Sequence, residues 1–196
     1  MQKKYIVLAI LIGIGLWSNT LKKSWMNNTT IQEDYRPEND FNTENNEEHS
    51  YEYVVSDISW SQAQEDAVKK GGYLVNINSK EEFDRIVSEI RESGYDDIFF
   101  RIGGRRTEND SLYYWIDSDN QQIGEPLNTK DSWCQNLWAP EEPSLEYKSI
   151  PETCMDMYQS DGKWLWNDVP DHMIEVIAAS YSGRLGYIIE YNEPGH

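Results

Sequence analysis

Four residues in the C-terminal third of the chain carry oxygen atoms in an order that suits a hard metal ion. They are Glu142, Glu152, Asn167 and Asp168, and the first lies in a segment stiffened by two prolines, Trp-Ala-Pro-Glu-Glu-Pro-Ser at 138–144. Ca²⁺ binds about six to eight oxygen atoms from carboxylates, amide or backbone carbonyls and outside ligands. The residue types therefore predict a calcium site, although each acid taken singly means little in so acidic a chain.

Composition limits the partners that such a site could serve. The chain of 196 residues has a net charge of -18 and a pI near 4.4, which repels nucleic-acid phosphates and anionic membrane surfaces. Nucleic acid is therefore not expected as a partner, and contact with a membrane is expected only through an N-terminal anchor. The 38% of hydrophobic residues, with eight Trp and thirteen Tyr, are enough for one globular core.

The first fifty residues are expected to lie outside that core. Two lysines precede a largely apolar run at 5–17, which as a helix would rise only about 20 Å, short of the ~30 Å hydrocarbon core of a bilayer. Residues 1–20 are therefore interpreted as an export signal, with an uncleaved anchor as the alternative. The Asn-, Glu- and Asp-rich residues 21–50 predict a flexible linker. The folded domain is expected over 51–196, secreted or tethered to the cell surface.

Within that domain the residue pattern predicts strand, helix, strand, helix and then mainly strands. Ser59 is expected to cap the first helix, and Ser-Lys-Glu-Glu at 79–82 has the sequence of a capping box for the second. An irregular stretch rich in Trp and Pro follows at 117–150. Structureless stretches beyond about 12–15 residues are usually functional or disordered, and the tryptophans and Cys134 argue against disorder here.

Together these residues resemble the sugar-binding signature of C-type lectin domains. In that family a Glu-Pro-Asn loop, a Glu two residues before a strand cysteine and a Trp-Asn-Asp strand end hold one Ca²⁺, which ligates two vicinal sugar hydroxyls. The matching segments here are Glu142-Pro143-Ser144, Glu152-Thr153-Cys154 and Trp166-Asn167-Asp168. Further similarity lies in the predicted strands, in the segments Phe99-Phe100-Arg-Ile-Gly-Gly, Tyr114-Trp-Ile-Asp117 and Gly186-Tyr-Ile-Ile-Glu190.

The resemblance implies an α+β, C-type lectin-like fold, with two helices packed on small antiparallel sheets beside a long calcium-site loop. The metal ligands that it implies are Glu142, Ser144, Glu152, Asn167 and Asp168. The first four of these would also contact the sugar, so Ca²⁺ is the expected cofactor and a glycan or glycoprotein the expected partner. The Glu-first loop, with Pro143 in the cis form, implies a preference for equatorial vicinal hydroxyls, as in mannose.

The chain departs from the family pattern at its cysteines and at one loop residue. Cys134 and Cys154 are its two cysteines, and Ile189 stands where the family has its closing cysteine. Export makes a Cys134–Cys154 disulfide the expected use of this pair, with free thiols as the alternative. Ser144 replaces the Asn of the family loop; its shorter hydroxyl predicts weaker metal and sugar binding.

We therefore expect calcium-dependent carbohydrate binding by an exported domain, in cell-surface adhesion or glycan recognition. The alternative is a calcium-independent, protein-binding adhesin with a degenerate metal site, whose binding would survive EDTA. Catalysis is not expected, because His172 stands apart from any Ser or Cys motif. The chain is also too short for a formylglycine-generating oxidase, an enzyme class of distantly similar fold.

Overall fold

An eight-stranded sheet runs through the part of the chain that the computed structural model describes, residues 49–192. The predicted signal at 1–20 lies outside the described residues, as does nearly all of the linker predicted at 21–50. In chain order the elements are β1 (His49–Val55), α1 (Trp60–Lys69), β2 (Tyr73–Leu74), α2 (Lys80–Glu92), β3 (Phe99–Arg105), β4 (Tyr114–Ile116), β5 (Gln122–Ile123), β6 (Glu146–Tyr147), β7 (Ile150–Pro151), β8 (Cys154–Ser160), β9 (Lys163–Val169), α3 (Met173–Val176) and β10 (Leu185–Asn192).

This order confirms the predicted α+β class. The long loop predicted at 117–150 is present but contains short elements, namely β5, β6 and a 3-10 turn at Gln135–Leu137. The short helix α3 and a second 3-10 turn at Ala179–Tyr181 were not predicted. No helix within residues 49–192 is long and apolar enough to span a bilayer.

The main sheet is organised around its last strand. The strand order is β1-β10-β3-β4-β5, with β2 beside β10 and the β8–β9 hairpin beside β3. β10 runs parallel to β3 and antiparallel to β1, so His49 lies opposite Asn192 and Val55 opposite Gly186. The first and last strands described, β1 and β10, are therefore neighbours. Through its pairing with β3, β10 also connects β1 to the β8–β9 hairpin, which carries part of the candidate site.

The start of α2 follows the capping prediction only in part. Ser79 caps the helix, its hydroxyl oxygen accepting the N–H of Glu82 at 3.1 Å. The Glu82 carboxylate, however, accepts the N–H of Asn78 at 2.7 Å and the hydroxyl of Tyr51 at 2.6 Å. The reciprocal half of the predicted capping box is not among the described bonds, because these two donors hold the carboxylate away from Ser79. The reciprocal pair occurs instead at α1, whose N-cap is Ser59 as predicted.

An irregularity near the end of β3 directs the chain toward the candidate site. Pairing with β8 shifts register between Ile102 and Arg105, across Gly103 and Gly104. A Cβ at Gly103 would lie 2.1 Å from the Asn76 Oδ1 and 2.5 Å from a backbone carbonyl, which no real contact allows. Glycine therefore lets β3 pass this crowded point, and Arg105 emerges opposite Cys154.

Hydrophobic clusters cover both faces of the sheet. One packs under α2 and surrounds Trp166, which is fully buried and makes edge-on contacts at 5.5–6.4 Å between ring centroids with Phe83, Trp115, Trp133 and Trp138. The other packs under α1. Aromatic contacts of this geometry are each worth about 0.5–1.5 kcal/mol beyond simple burial, so Trp166 holds the long loop against β9.

The predicted Cys134–Cys154 disulfide is wrong, because both thiols are free and buried. Cys134 belongs to the cluster under α2, where its Sγ lies 2.9 Å from the Ser132 Oγ and 3.3 Å from the Leu127 carbonyl oxygen. Cys154 belongs to the cluster under α1. Its neighbour Met155 packs with the opposite cluster, so the sheet separates the two thiols.

Both thiols should accept label only after unfolding. Burial raises the pKa of Cys134 and raises that of Cys154 to about 11, and alkylation requires the thiolate. We expect iodoacetamide to leave native protein unlabelled and to add two labels in denaturant without reductant, as counted by intact mass spectrometry. A chain that takes up no label in denaturant would contradict this assignment.

Candidate functional site

Four of the five predicted ligands meet where the long loop returns to the end of β9. The Ser144 N–H donates to the Glu142 Oε2 at 2.7 Å and to the Asp168 Oδ1 at 3.1 Å, and its hydroxyl donates to the Glu152 Oε2 at 2.8 Å. We call Glu142, Ser144, Glu152 and Asp168 the loop–strand cluster. Ser144 is exposed, whereas Glu152 and Asp168 are buried, with 4% and 0% of their surface exposed. The cluster therefore opens to solvent on the loop side.

Backbone contacts with β9 place the first part of the loop. Trp138 forms an isolated parallel bridge with Trp166, and the Ala139 N–H donates to the Trp166 carbonyl at 2.9 Å. A turn then forms, in which the Glu142 N–H donates to the Ala139 carbonyl at 3.0 Å. The Glu142–Pro143 peptide that follows is cis, as predicted. These contacts bring the Glu142 carboxylate back over the end of β9.

The β6–β7 hairpin closes the second part of the loop. It spans the residues between Leu145 and Glu152, and at its base the Glu152 N–H donates to the Leu145 carbonyl at 2.9 Å. The Leu145 N–H donates in turn to the Asp168 Oδ2 at 2.8 Å. Leu145 has a φ of 70°, a left-handed conformation that turns the chain here. Ser144 and Glu152 therefore share one base, although seven residues separate them in sequence.

Arg106 and Tyr113 form the floor of the cluster, and the sequence reasoning missed both. Arg106 is buried and donates to the carbonyl of Glu152 at 2.8 Å and to that of Leu145, so it holds both sides of the hairpin base. The Tyr113 hydroxyl accepts the Arg106 Nε–H at 3.1 Å, and its proton is shared between the Glu152 carbonyl and the Asp168 Oδ2, the latter at 2.9 Å. Burial, together with the charge of Asp168, raises the Tyr113 pKa, so the phenol remains a donor.

No local signal in the sequence marks these two residues. Arg106 follows another arginine at a strand end, and Tyr113 precedes another tyrosine, both ordinary surface patterns. Arg106 matters to the site because two of the carbonyls that it binds, those of Leu145 and Glu152, lie far away in sequence. A buried guanidinium needs several acceptors; the residues just after Arg106 supply three carbonyls, and the folded loop supplies the other two.

Asn167 is the predicted ligand that the structure does not join to the cluster. β8 and β9 pair without a register shift past this point, with Asn167 opposite Asp156 and Asp168 opposite Met155. Side chains alternate along a strand, so those of Asn167 and Asp168 leave opposite faces. Among the described residues no hydrogen bond links Asn167 to the other four, and its role as a ligand stays a prediction.

Burial and crowding of charge make the cluster electrostatically unfavourable as it stands. Burial, with Asp168 beside it, raises the pKa of Glu142 to about 7. Burial also raises the pKa of Glu152 to about 7; the charges of Asp168 and Glu142 add to this, while the Ser144 hydroxyl opposes it. Two carboxyl groups therefore hold protons well above their usual range. A bound cation would favour the charged form of both.

The donor set fits Ca²⁺ in chemical type. Three carboxylates and a hydroxyl supply hard oxygen ligands, and the exposed loop side leaves room for outside ligands. Within residues 49–192, however, no group of three or more His, Cys, Asp or Glu is arranged as a ready metal cage. The oxygens of the cluster are instead satisfied by donors from Ser144, Leu145 and Tyr113.

Removing the Tyr113 hydroxyl should weaken the floor of the cluster. Tyr113→Phe leaves the buried Asp168 carboxylate with one donor fewer and should lower the free energy of unfolding by about 1–3 kcal/mol. Tyr114→Phe is the matched control, because its hydroxyl makes no hydrogen bond among the described residues; it should change stability by no more than about 0.5 kcal/mol. Urea denaturation measures both, and equal losses would show that the Tyr113 contact contributes nothing specific.

Stability without metal should fall as the pH rises. Glu142 and Glu152 titrate near pH 7 when folded but near 4.5 when unfolded, so between these values the folded state holds more protons. The free energy of unfolding therefore decreases from pH 5 to pH 8. Glu152→Gln should flatten this slope, whereas Glu146→Gln, at an exposed position, should not. Chemical denaturation in EDTA across this range gives the slopes, and identical slopes in all three proteins would contradict the assignment.

Solved structures of other proteins share this fold. Human lithostathine aligns with a TM-score of 0.53 at 20% identity, over 74% of this chain and 84% of that one. The C-type carbohydrate-recognition domain of cow CD23, solved in the presence of a GlcNAc2Man3 oligosaccharide, aligns with a TM-score of 0.50 at 23% identity, over 75% and 90% of the two chains. At these identities the similarity establishes the fold alone.

Sequence similarity identifies the family. "C-type lectin domain family 6 member A" of Mus musculus is 29% identical over 120 residues, which are 60% of this chain and 49% of that protein. The chain thus spans about half the length of the curated relatives that it matches. The family model described as "Lectin C-type domain" matches residues 56–172, more than half of the chain. The chain therefore belongs to the C-type lectin domain family.

Proposed function

We propose that this domain binds a carbohydrate through one Ca²⁺ held by the loop–strand cluster. The observation that carries the proposal is the convergence of the Glu142, Glu152 and Asp168 carboxylates on Ser144, at a loop that opens to solvent. Domains of this family are non-enzymatic, in agreement with the expectation that the chain is not an enzyme. The cow CD23 domain named above, with its oligosaccharide, supports a glycan as the partner.

Each residue of the cluster has a distinct part in this proposal. When bound, Ca²⁺ would supply a Lewis acid that ligates two vicinal hydroxyls of a sugar. Glu142 and Glu152 would hold the metal and accept hydrogen bonds from the same hydroxyls, since a carboxylate can use both of its oxygens. Asp168, fully buried and fixed by Tyr113 and Leu145, would anchor the metal from below. Asn167 is proposed as a further ligand through its amide oxygen.

Proton release should accompany metal binding. With pKa values of about 7, Glu142 and Glu152 are partly protonated at neutral pH, and a metal ion requires their charged forms. Calcium affinity is therefore expected to rise with pH through this range. Calcium should therefore bind weakly at mildly acidic pH, so a bound glycan would be released there.

Ser144 sets the strength of the site. Its N–H already holds two carboxylates, and its hydroxyl holds a third, so one small residue organises the cluster. The Asn that the family carries would present an amide oxygen to the metal and an N–H donor to the sugar. Ser offers one shorter hydroxyl, and we propose that weak binding of equatorial hydroxyls, as in mannose, results.

The setting of the domain is part of the proposal. An exported protein, secreted or held at the cell surface by residues 1–20 through the acidic linker 21–50, would present the domain 51–196 to glycans or glycoproteins. Adhesion or glycan recognition would then be its role. Calcium is abundant outside cells, which suits a site of modest affinity.

A calcium-independent, protein-binding domain is the second candidate. One observation favours it: the carboxylate oxygens of the cluster accept hydrogen bonds from Ser144, Leu145 and Tyr113, and no ready cage of acids is present among the described residues. In that case the hydrogen bonds around Ser144 would be purely structural. The two candidates differ in a single respect, namely whether binding survives EDTA.

Calcium should stabilise the domain and support mannoside binding. At about 100 times its dissociation constant, a ligand that binds only the native state adds about 2.7 kcal/mol, enough to raise the melting temperature by several degrees. Glu142→Gln should remove the shift, and Glu141→Gln, next to it in the exposed turn, should retain it. Ser144→Asn should strengthen both calcium and mannoside binding. Differential scanning fluorimetry and calorimetric titration measure these effects.

Two results would overturn the proposal. One is a melting temperature that is the same in EDTA and in millimolar Ca²⁺ for both the wild type and Ser144→Asn. The other is a glycan signal that persists unchanged in EDTA, which would favour the calcium-independent candidate.

A further inference from the structure

Arg105 stands apart from the other arginines of the domain. Its guanidinium lies over the ring of Trp60, 5.1 Å from the centroid, which fixes its plane. Among the described residues it has no hydrogen bond or ion pair with the protein. By contrast, Arg101 pairs with Asp156, Arg106 donates to several carbonyls, and Arg184 donates to a carbonyl. In a chain with 35 acidic and 17 basic residues, a positioned arginine without a carboxylate partner is unexpected.

Two open clefts meet at this residue. The larger, about 390 Å³, lies between α1 and the turn at 117–121, and the smaller, about 320 Å³, lies beside the end of β3. Arg105 and Asn120 line both of them. The donor edge of the guanidinium is therefore accessible from either cleft, while its face is covered by Trp60.

The lining of the larger cleft leaves Arg105 as its available charge. Glu65 and Lys69 also line it, and because the Lys69 ammonium pairs with the Glu65 carboxylate at 2.9 Å, these two residues add no net charge. Ser61, Ser118 and Asn120 contribute hydroxyl and amide groups on an exposed surface. The cleft thus combines the planar cation of Arg105 with the Glu65–Lys69 ion pair and several hydroxyl and amide groups.

Internal bonds hold this lining in place. The Gln64 side chain donates to the Asp117 carbonyl at 3.0 Å and accepts the Leu74 N–H at 3.1 Å, so it ties α1 to the turn and to the sheet. The Asp117 carboxylate accepts N–H groups from Asp119 and Gln121 at 2.9 and 2.8 Å and rigidifies the turn. The distance across the cleft is therefore set by the fold.

We propose that the larger cleft binds an acidic sugar, with the sugar carboxylate on Arg105 and its hydroxyls on Ser118 and Asn120. A guanidinium presents two parallel N–H donors that match a carboxylate, and stacking on Trp60 removes much of the entropy cost of orienting it. The hydroxyl and amide groups of Ser61, Ser118 and Asn120 suit the hydroxyls of a sugar. The overall negative charge of the protein gives no long-range attraction, so the affinity rests on this local pair and is about millimolar.

The cleft is independent of the loop–strand cluster. Arg105 and Arg106 are consecutive, yet Arg106 holds the floor of that cluster while Arg105 lies over Trp60 on α1. Binding in the cleft needs no metal. The test is therefore carried out in EDTA, where failure of the calcium proposal cannot affect it.

The experiment is an NMR titration of the full chain with glucuronate, glucose and acetate, following the Arg105 Nε–H and the amides of Ser118 and Asn120. We expect saturable shifts of these signals with glucuronate, and affinity lower by about tenfold or more for glucose, which lacks the carboxylate, and for acetate, which lacks the ring hydroxyls. Arg105→Gln should weaken glucuronate binding by about tenfold or more. Arg184→Gln is the matched control, because Arg184 also lies over an aromatic ring, and binding should be unchanged.

Three outcomes would overturn the proposal. They are glucuronate affinity no greater than that of glucose or acetate, equal affinity of the wild type and Arg105→Gln, and shifts that fall elsewhere than the cleft. Should Arg105→Gln fail to fold, Arg105→Lys replaces it, since it keeps the charge but loses the planar pair of donors. The comparison of the three ligands on the wild type decides the matter without any variant.

Discussion

The buried guanidinium of Arg106 is the interaction on which the candidate site depends. It donates to five backbone carbonyls, those of Thr107, Glu108, Asp110, Leu145 and Glu152, and to the Tyr113 hydroxyl. A charge taken out of water is costly unless acceptors surround it, and here they come from two segments distant in sequence. Arg106 therefore obtains its full set of hydrogen-bond acceptors only when the long loop folds. The acids of the site are placed as a consequence.

The same interaction helps to explain how three carboxylates can lie close together at this loop. Arg106 supplies positive charge beneath them, Tyr113 and Leu145 supply donors, and Ser144 occupies the centre. These groups offset the repulsion only in part, as the raised pKa values of Glu142 and Glu152 show. The repulsion that remains is between negative charges, and a bound cation would reduce it. The hydrogen bonds of Arg106, Tyr113, Leu145 and Ser144 thus fix the positions of the three carboxylates.

Much of this could be read from the sequence, because local patterns encode it. The alternation of strands and helices, the cap at Ser59, the cis proline at Pro143 and the grouping of Glu142 with Glu152 and Asp168 follow from residues close in the chain or from the family signature. The failures concern long-range relations. Whether two cysteines meet depends on which face of the sheet each occupies, and sequence spacing does not give that.

The floor of the site was unpredictable for a similar reason. Arg106 and Tyr113 look like ordinary polar residues beside a strand, and only the returning loop buries them. At the strand end, the sequence did not indicate which side chains would share a face. Trp166, Asn167 and Asp168 read as one motif, but alternation along β9 sends Asn167 to the face of Asp156, away from Asp168. The alternation of side chains along the strand, and not the residue types, determines which of them share a face.

The pairing of β1 with β10 has a mechanical consequence. His49 lies opposite Asn192, so a pull on the chain that leads into His49 acts at the free end of an antiparallel ladder. Such a load breaks the cross-strand hydrogen bonds one after another, from His49 toward Val55, instead of straining them all at once. The first strand would peel away under modest force, while β3, β8 and β9, which carry the site, stay paired with one another. The domain would thus lengthen under tension while the strands that carry the loop–strand cluster remain paired.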